Sequence, residues 1–302
     1  MKILNLGSLN IDKVYSVEHF VAAGETLSAS KMETFSGGKG LNQSIALSRA
    51  GAEVYQAGAI GPDGESLRYL LAESKVHTDH LQTLAGEVTG HAIIQLTPAG
   101  QNCIIISTGA NGALTKSYID EVLNHFEAVD MLLLQNETNN VAYAMQQAKA
   151  RGMRIAFNAS PISGALLQYP LELVDYYLIN EVEAKVLSGG EETDNEKMLE
   201  ALNNRFPNAA IVLTVGKRGV LYQYQSETLS HGIYDVPVVD TTAAGDTFCG
   251  FFLACVAKGL PTADGLRIAS LASNLAVSKK GAANSIPTWD EVLAFGEIAK
   301  AL

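Results

Sequence analysis

Short runs of Val, Ile and Leu alternate along most of the chain with stretches whose apolar residues recur every three or four positions. The runs Lys2–Gly7, Val54–Ile60, Met131–Gln135, Arg154–Asn158, Tyr176–Asn180 and Ile211–Gly216 are nearly continuous in apolar character, the pattern of strands covered on both faces. Helical spacing predicts helices over Leu41–Ala50, Glu65–Ser74, Tyr118–Glu127, Ala142–Arg151, Glu183–Leu187 and Glu196–Arg205. Thr193-x-x-Glu196 and Thr288-x-x-Glu291 have the form of capping boxes at later helix starts. Strands and helices in alternation imply an α/β fold with a mostly parallel central sheet between helical layers. Ligands gather at the carboxyl ends of strands in such folds.

Val14–Phe35 and Leu81–Ile106 break this rhythm. Both have period-two alternation, as in His91-Ala92-Ile93-Ile94-Gln95-Leu96, and turn punctuation such as Pro98-Ala99-Gly100-Gln101, with no helix between. They predict antiparallel strands that form a small β lid, about 13–35 and 81–106, inserted into one domain over 1–302. His77-Thr78-Asp79-His80 has the H-x-x-H spacing of metal ligands but no third ligand nearby, and reads as a polar hinge between body and lid. The stripe Phe248, Phe251, Phe252 and Cys255 reads as helical core.

With 302 residues and 47% hydrophobic content, the chain can bury a large core, and disorder is excluded. A net charge of −11 disfavours nucleic acid and anionic membrane as partners, while leaving room for a small anionic ligand at a locally positive site. Three cysteines without C-x-x-C or His/Cys clustering suggest neither a disulfide framework nor zinc. The first residues read as a strand rather than a signal peptide, and the longest apolar run is about half of the roughly 20 residues a membrane span needs. A cytoplasmic location is the expectation.

Four segments carry chemistry. Gly37-Gly38-Lys39-Gly40-Leu41-Asn42 enters a helix, where backbone N–H groups can approach a ligand closely. Neither a P-loop nor a G-x-G-x-x-G fingerprint is present, which argues against a dinucleotide oxidoreductase. Asp240-Thr241-Thr242-Ala243-Ala244-Gly245-Asp246 places small residues at another helix start, a pocket for an anionic oxygen. Asp246 beside it suits a general base that takes a hydroxyl proton. Asn10 and Asp12 alternate to one side of an extended segment and could hold adjacent hydroxyls. Asn180 and Glu183, at a strand-to-helix junction, could organise a hydrated Mg²⁺. Each segment alone also reads as an ordinary turn or helix cap.

Their order, together with Gln135-Asn136-Glu137, resembles the ribokinase-like (PfkB-type) carbohydrate kinases, the ribose-specific branch most closely, from about Leu4 to Pro287. The resemblance implies a three-layer α/β/α kinase with a β lid that transfers the γ-phosphoryl group of ATP to a hydroxyl of an unphosphorylated sugar, most closely D-ribose. It implies Asp246 as base with an anion hole at Ala244 and Gly245. Asn10, Asp12, Gly38, Lys39, Asn42 and Glu137 match sugar-binding positions. Asn180, Thr214, Gly216, Lys217, Gly219, Gly245 and Ser270 match the nucleotide site, and Glu183 matches a residue reaching Mg²⁺ through water. Asp240, Thr242, Ala276, Lys279, Gly281 and Ser285 match a monovalent-cation site for K⁺. A homodimer through the lid is implied as well.

Three positions depart from the pattern: Asn158-Ala159-Ser160-Pro161 stands for Asn-Pro-x-Pro, Cys249 for a frequent Asn, and Ser270 for a frequent His or Asn. A phosphosugar would need nearby cations, but only Lys13 and Lys31 occur across 13–35, and no Lys or Arg across 80–100. Fructose, deoxyribose or a nucleoside remain alternatives, the last because Tyr15, Phe20 and Phe35 could stack a base. So does a catalytically silent sugar-binding homologue.

Overall fold

The computed structural model describes residues 1–190 and 192–301. Seven strands run parallel: β1 (Ile3–Leu6), β4 (Val54–Ile60), β5 (Leu81–Thr83), β8 (Met131–Gln135), β9 (Arg154–Asn158), β10 (Tyr176–Asn180) and β11 (Ala210–Thr214). The antiparallel strands β12 (Val220–Tyr224) and β13 (Glu227–His231) complete a nine-stranded sheet of order β13-β12-β11-β10-β9-β8-β1-β4-β5. The second, four-stranded sheet has the order β3-β2-β6-β7, from β2 (Asn10–Ser16), β3 (Lys31–Gly37), β6 (Gly90–Leu96) and β7 (Asn102–Ser107).

Period-two alternation divides the large sheet's side chains between two cores. Ile3, Met131 and Leu133 face one layer, built on α1 (Lys39–Arg49), α2 (Glu65–Glu73), α7 (Ala244–Ala257), α8 (Thr262–Val277) and α9 (Trp289–Ala301). Leu4, Leu6, Leu132 and Leu134 face the other, built on α3 (Lys116–Leu123), α4 (Val141–Ala150), α5 (Glu181–Ser188) and α6 (Asn195–Arg205). Phe248, Phe251, Phe252 and Cys255 are buried in the first core, as their spacing predicts. Near residue 250 the crossing of α1 and α7 is very close: a Cβ on Gly250 would lie 2.4 Å from Ala46 Cβ.

The small sheet differs from its expectation in two ways. Leu81–Thr83 pairs with β4 in the main sheet, so the projecting segment begins near Gly90, and β2 joins β6 in parallel rather than antiparallel fashion. The Thr193 capping box is not formed, because Asp194 caps α6 by accepting from the Lys197 N–H at 3.0 Å. The Thr288 box is formed with Glu291. His77 and His80 belong to the body, not a hinge. The His77 ring stacks on Tyr55 at 4.3 Å and His80 lies 4.9 Å from His125, with no metal-ligating group of three among the described residues. No described helix is long and apolar enough to cross a membrane.

Candidate active site

The glycine-rich start of α1 and the small-residue start of α7 meet at Asp246. Its carboxylate is 7% exposed and accepts from Asn42 Nδ2 at 3.0 Å on Oδ2 and from Gln43 Nε2 at 2.9 Å on Oδ1. Gln43 was not foreseen from the sequence. α7 begins at Ala244 without a side-chain cap, which leaves first-turn N–H groups for a ligand. The Ala244 N–H, expected in the anion hole, instead donates to Thr241 O at 3.2 Å, closing a turn before the helix. Gly245 stays open, and a Cβ placed there would meet nothing within 4 Å.

The root of the small sheet supplies the next group. Glu137 accepts from the Lys39 N–H at 3.1 Å and from Ser8 Oγ, which fixes its carboxylate over the start of α1. Gly38, at φ 92°, passes so close to the chain leaving β1 that a Cβ would sit 2.9 Å from Ser8 O. Asp12 packs against Gly37, and burial, reinforced by the charge of Glu137, pushes its carboxyl up to about 6. Asn10 Oδ1 accepts from Asn111 Nδ2 at 2.8 Å, and Asn111 also clasps the Leu9 N–H and C=O. Asn111 too was not foreseen. A cleft of about 330 Å³ lies here, lined by Asn10, Asn111, Asn136 and Glu137 among others.

A second cleft, of about 500 Å³, is lined by Asn180, Thr214, Gly216, Lys217, Gly219, Gly245 and Ser270 among others. A narrower cavity of about 90 Å³ shares Asn180, Thr214 and Gly245 with it and adds Lys39, Glu183, Asp246 and Cys249. Burial would lower the Lys39 ammonium, but the charges of Asp246, Glu137 and Glu183 outweigh it and hold the group above its ordinary value. The Cys249 thiol is pushed well up by burial and then by Asp246. Glu183 closes a capping box on α5, accepting from the Asn180 N–H at 2.8 Å and from Asn180 Nδ2 at 2.9 Å. Asn158 also lines this cavity and donates from Nδ2 to Leu178 O at 2.8 Å.

Two loops meet beside α7. Asp240 accepts from Thr242 N at 3.0 Å and Thr242 Oγ1, and from the Gly281 N–H at 3.0 Å. Burial would raise this carboxyl, yet those donors hold it below its ordinary value. Lys279 sends its ammonium to Glu291 at 3.0 Å, so only its backbone can face the loop. Ser285 donates to Ala282 O at 2.8 Å, and the Ala276 carbonyl accepts from the Lys279 N–H at 3.1 Å.

Residues 1–289 match the model of the pfkB family of carbohydrate kinases. The chain belongs to that family. It is 34% identical over 300 residues to the ribokinase of Haemophilus influenzae, covering 97% of this chain and 98% of that protein. The crystal structure of a Thermotoga maritima ribokinase superposes with a TM-score of 0.88 at 32% identity, covering 98% of this chain and 99% of that one. An Arabidopsis thaliana ribokinase complexed with ribose and ATP superposes with a TM-score of 0.84 at 28% identity, over 97% of each chain. The chain is a ribokinase-family sugar kinase, a phosphotransferase with an alcohol group as acceptor.

Proposed function

We propose that this kinase transfers the γ-phosphoryl group of ATP to a primary hydroxyl of ribose, with Asp246 as general base. The observation that carries the reading is the place of Asp246 on the narrow cavity that shares Asn180, Thr214 and Gly245 with the larger cleft, its carboxylate held by two amides and the open Gly245 backbone beside it. Asn10, Asp12 and Glu137 offer an amide and two carboxylates to a polyol, a set in which each hydroxyl can both donate and accept. The sugar hydroxyl gives its proton to Asp246 as its oxygen bonds to phosphorus, while the bond from phosphorus to the bridging oxygen of ADP breaks. Lys39 and the free N–H groups at the start of α7 offset charge on the moving phosphoryl group.

Mg²⁺ fits the donor set at Asn180 and Glu183, since a single buried carboxylate with room for water suits an ion that keeps much of its hydration shell. When bound it neutralises phosphate charge; each Glu183 oxygen keeps a lone pair for its water. The oxygen-rich loops at Asp240, Thr242, Ala276, Lys279, Gly281 and Ser285 suit K⁺, which would firm the start of α7. Ile104 and Ile106 are 48% and 63% exposed on the small sheet, and this apolar face is the proposed seat of a homodimer.

The test is phosphorylation of ribose, deoxyribose, fructose and adenosine with ATP and Mg²⁺, with and without K⁺. Ribose is expected to give the highest kcat/KM. A higher value for adenosine or fructose overturns the substrate, and no loss of rate without K⁺ overturns the cation.

A further inference from the structure

Beneath α1 a row of fully buried primary amides leads from β4 to Asp246. Asn5, Gln43, Ser44 and Gln56 have no exposed surface, and Gln135 is 1% exposed. Such a row has a direction, because each carboxamide has one end that only donates and one that only accepts.

Backbone carbonyls set the direction, since a carbonyl can only accept. Gly40 O receives Asn5 Nδ2 at 2.7 Å, which turns Asn5 Oδ1 toward Gln135. Gln135 Nε2 therefore faces that oxygen, at 2.9 Å, and the same nitrogen donates to Gln43 Oε1 at 2.7 Å. With its oxygen occupied, Gln43 has only its nitrogen to offer Asp246. A second anchor agrees: Gln56 Nε2 donates to Gly7 O at 3.1 Å and Ala57 O at 2.8 Å, leaving Gln56 Oε1 to accept from Ser44 Oγ at 2.6 Å. The Ser44 oxygen in turn accepts from Asn5 Nδ2 at 2.8 Å. Gln135 Oε1 is left without a partner, packed against Gly7, and this arrangement persists although an orphaned buried oxygen is unfavourable.

We infer that Asn5, Gln135 and Gln43 form a polarity relay that fixes which end of the Gln43 amide meets Asp246, and so orients the base. These are positioning residues, since none but Gln43 touches Asp246. With the relay intact both carboxylate oxygens receive N–H donors, and the carboxylate lines the narrow cavity beside Gly245. With it broken, Gln43 can turn its oxygen to the carboxylate and repel it. The titratable groups whose charge acts with Asp246 are Lys39 on α1 and Cys249 on α7, with Glu137 and Glu183 acting on Lys39. None of these belongs to the relay.

The inference rests on the role of Asp246 proposed above, and the test separates the two. Steady-state kinetics on ribose across pH would be measured for the unaltered enzyme, Gln135→Met and Gln43→Met, with thermal unfolding alongside. Failure of the unaltered enzyme to phosphorylate any sugar would remove the proposed role of Asp246. If it is active, both variants should lose about 100-fold in kcat. Their sugar KM should stay within about twofold, since the sugar-binding groups are left in place. Folded variants with unchanged kcat, or with kcat lost only in step with a raised sugar KM, would overturn the relay. Should neither variant fold, hydrogen exchange in the unaltered enzyme decides. The side-chain amide protons of Gln43 and Gln135 should exchange as slowly as the backbone of β1, and complete exchange at first observation would also overturn it.

Discussion

Asn42 Nδ2 lies 3.0 Å from Oδ2 of Asp246, although 204 residues separate the two in the chain. The contact exists because α1 and α7 cross at Gly250, where no side chain holds them apart. The carboxylate proposed as the base and the amide that holds it are thus set by helix packing, not by a loop. Replacing Asp246 with Asn should lower kcat by about 10³-fold with little change in sugar KM, as expected for loss of a base. Steady-state kinetics on ribose checks this, and a parallel loss of binding would show that the residue chiefly holds the sugar.

Two glycines of α7, five residues apart, should respond in opposite ways to the same substitution. At Gly245 an added methyl enters open space in the cleft proposed for the nucleotide. Gly245→Ala should keep its Tm and lose about 10²-fold in kcat/KM for ATP. At Gly250 the methyl would meet Ala46 Cβ at 2.4 Å and Leu47 N at 2.8 Å. Gly250→Ala should be destabilised by about 1–3 kcal/mol, read as a lower Tm, before any effect on chemistry is visible.

Asp12 should impose a pH dependence on sugar binding. Its carboxyl is raised from 3.8 to about 6 by burial and then by the charge of Glu137. Below about 6 it is protonated and cannot accept from a hydroxyl as an anion does, so the ribose KM should rise as pH falls through that value. The linkage to folding has the opposite sense: a raised carboxyl favours the protonated folded state, and that stability is lost as pH rises through about 6. Asp12→Asn should therefore be more stable than the parent at pH 8, by on the order of 2 kcal/mol, and nearly equal to it below pH 4. Denaturant unfolding at the two pH values measures the difference.

Ile104 and Ile106 alternate onto one face of β7, and Ile106 also borders the sugar-side cleft. If that face seats a second copy, Ile104→Asp should sediment as a monomer and show a raised ribose KM. A monomeric parent enzyme would remove the proposal.

Much of this was legible in the sequence because parallel strands buried on both faces announce themselves. Met131–Gln135, Arg154–Asn158 and Tyr176–Asn180 match the structure at both ends. The hairpin of β12 and β13 was missed because short strands that alternate buried with exposed positions lack such a run. The bounds of the small sheet slipped at Leu81, where a three-residue strand has too few positions to show which sheet it joins. At the site, the motifs carrying Asp246, Asn42, Glu137 and Asn10 were readable, but Gln43, which holds Asp246, and Asn111, which holds Asn10, were not. A signal for the buried amides did exist: Asn5 and Gln56 each interrupt an otherwise apolar strand, Gln135 ends one, and Asn5 and Gln56 fall at the same register of a parallel pair. Their meaning required knowing which strands are neighbours.

Asn10 and Asp12 are the first and third residues of β2, which runs outward along the whole small sheet with β3 on one side and β6 on the other. Grip and cover are therefore one lever. On the proposed sugar site, whatever steadies the far end of that lever, a neighbour's surface included, would tune how firmly the sugar is held at its fulcrum without ever touching it.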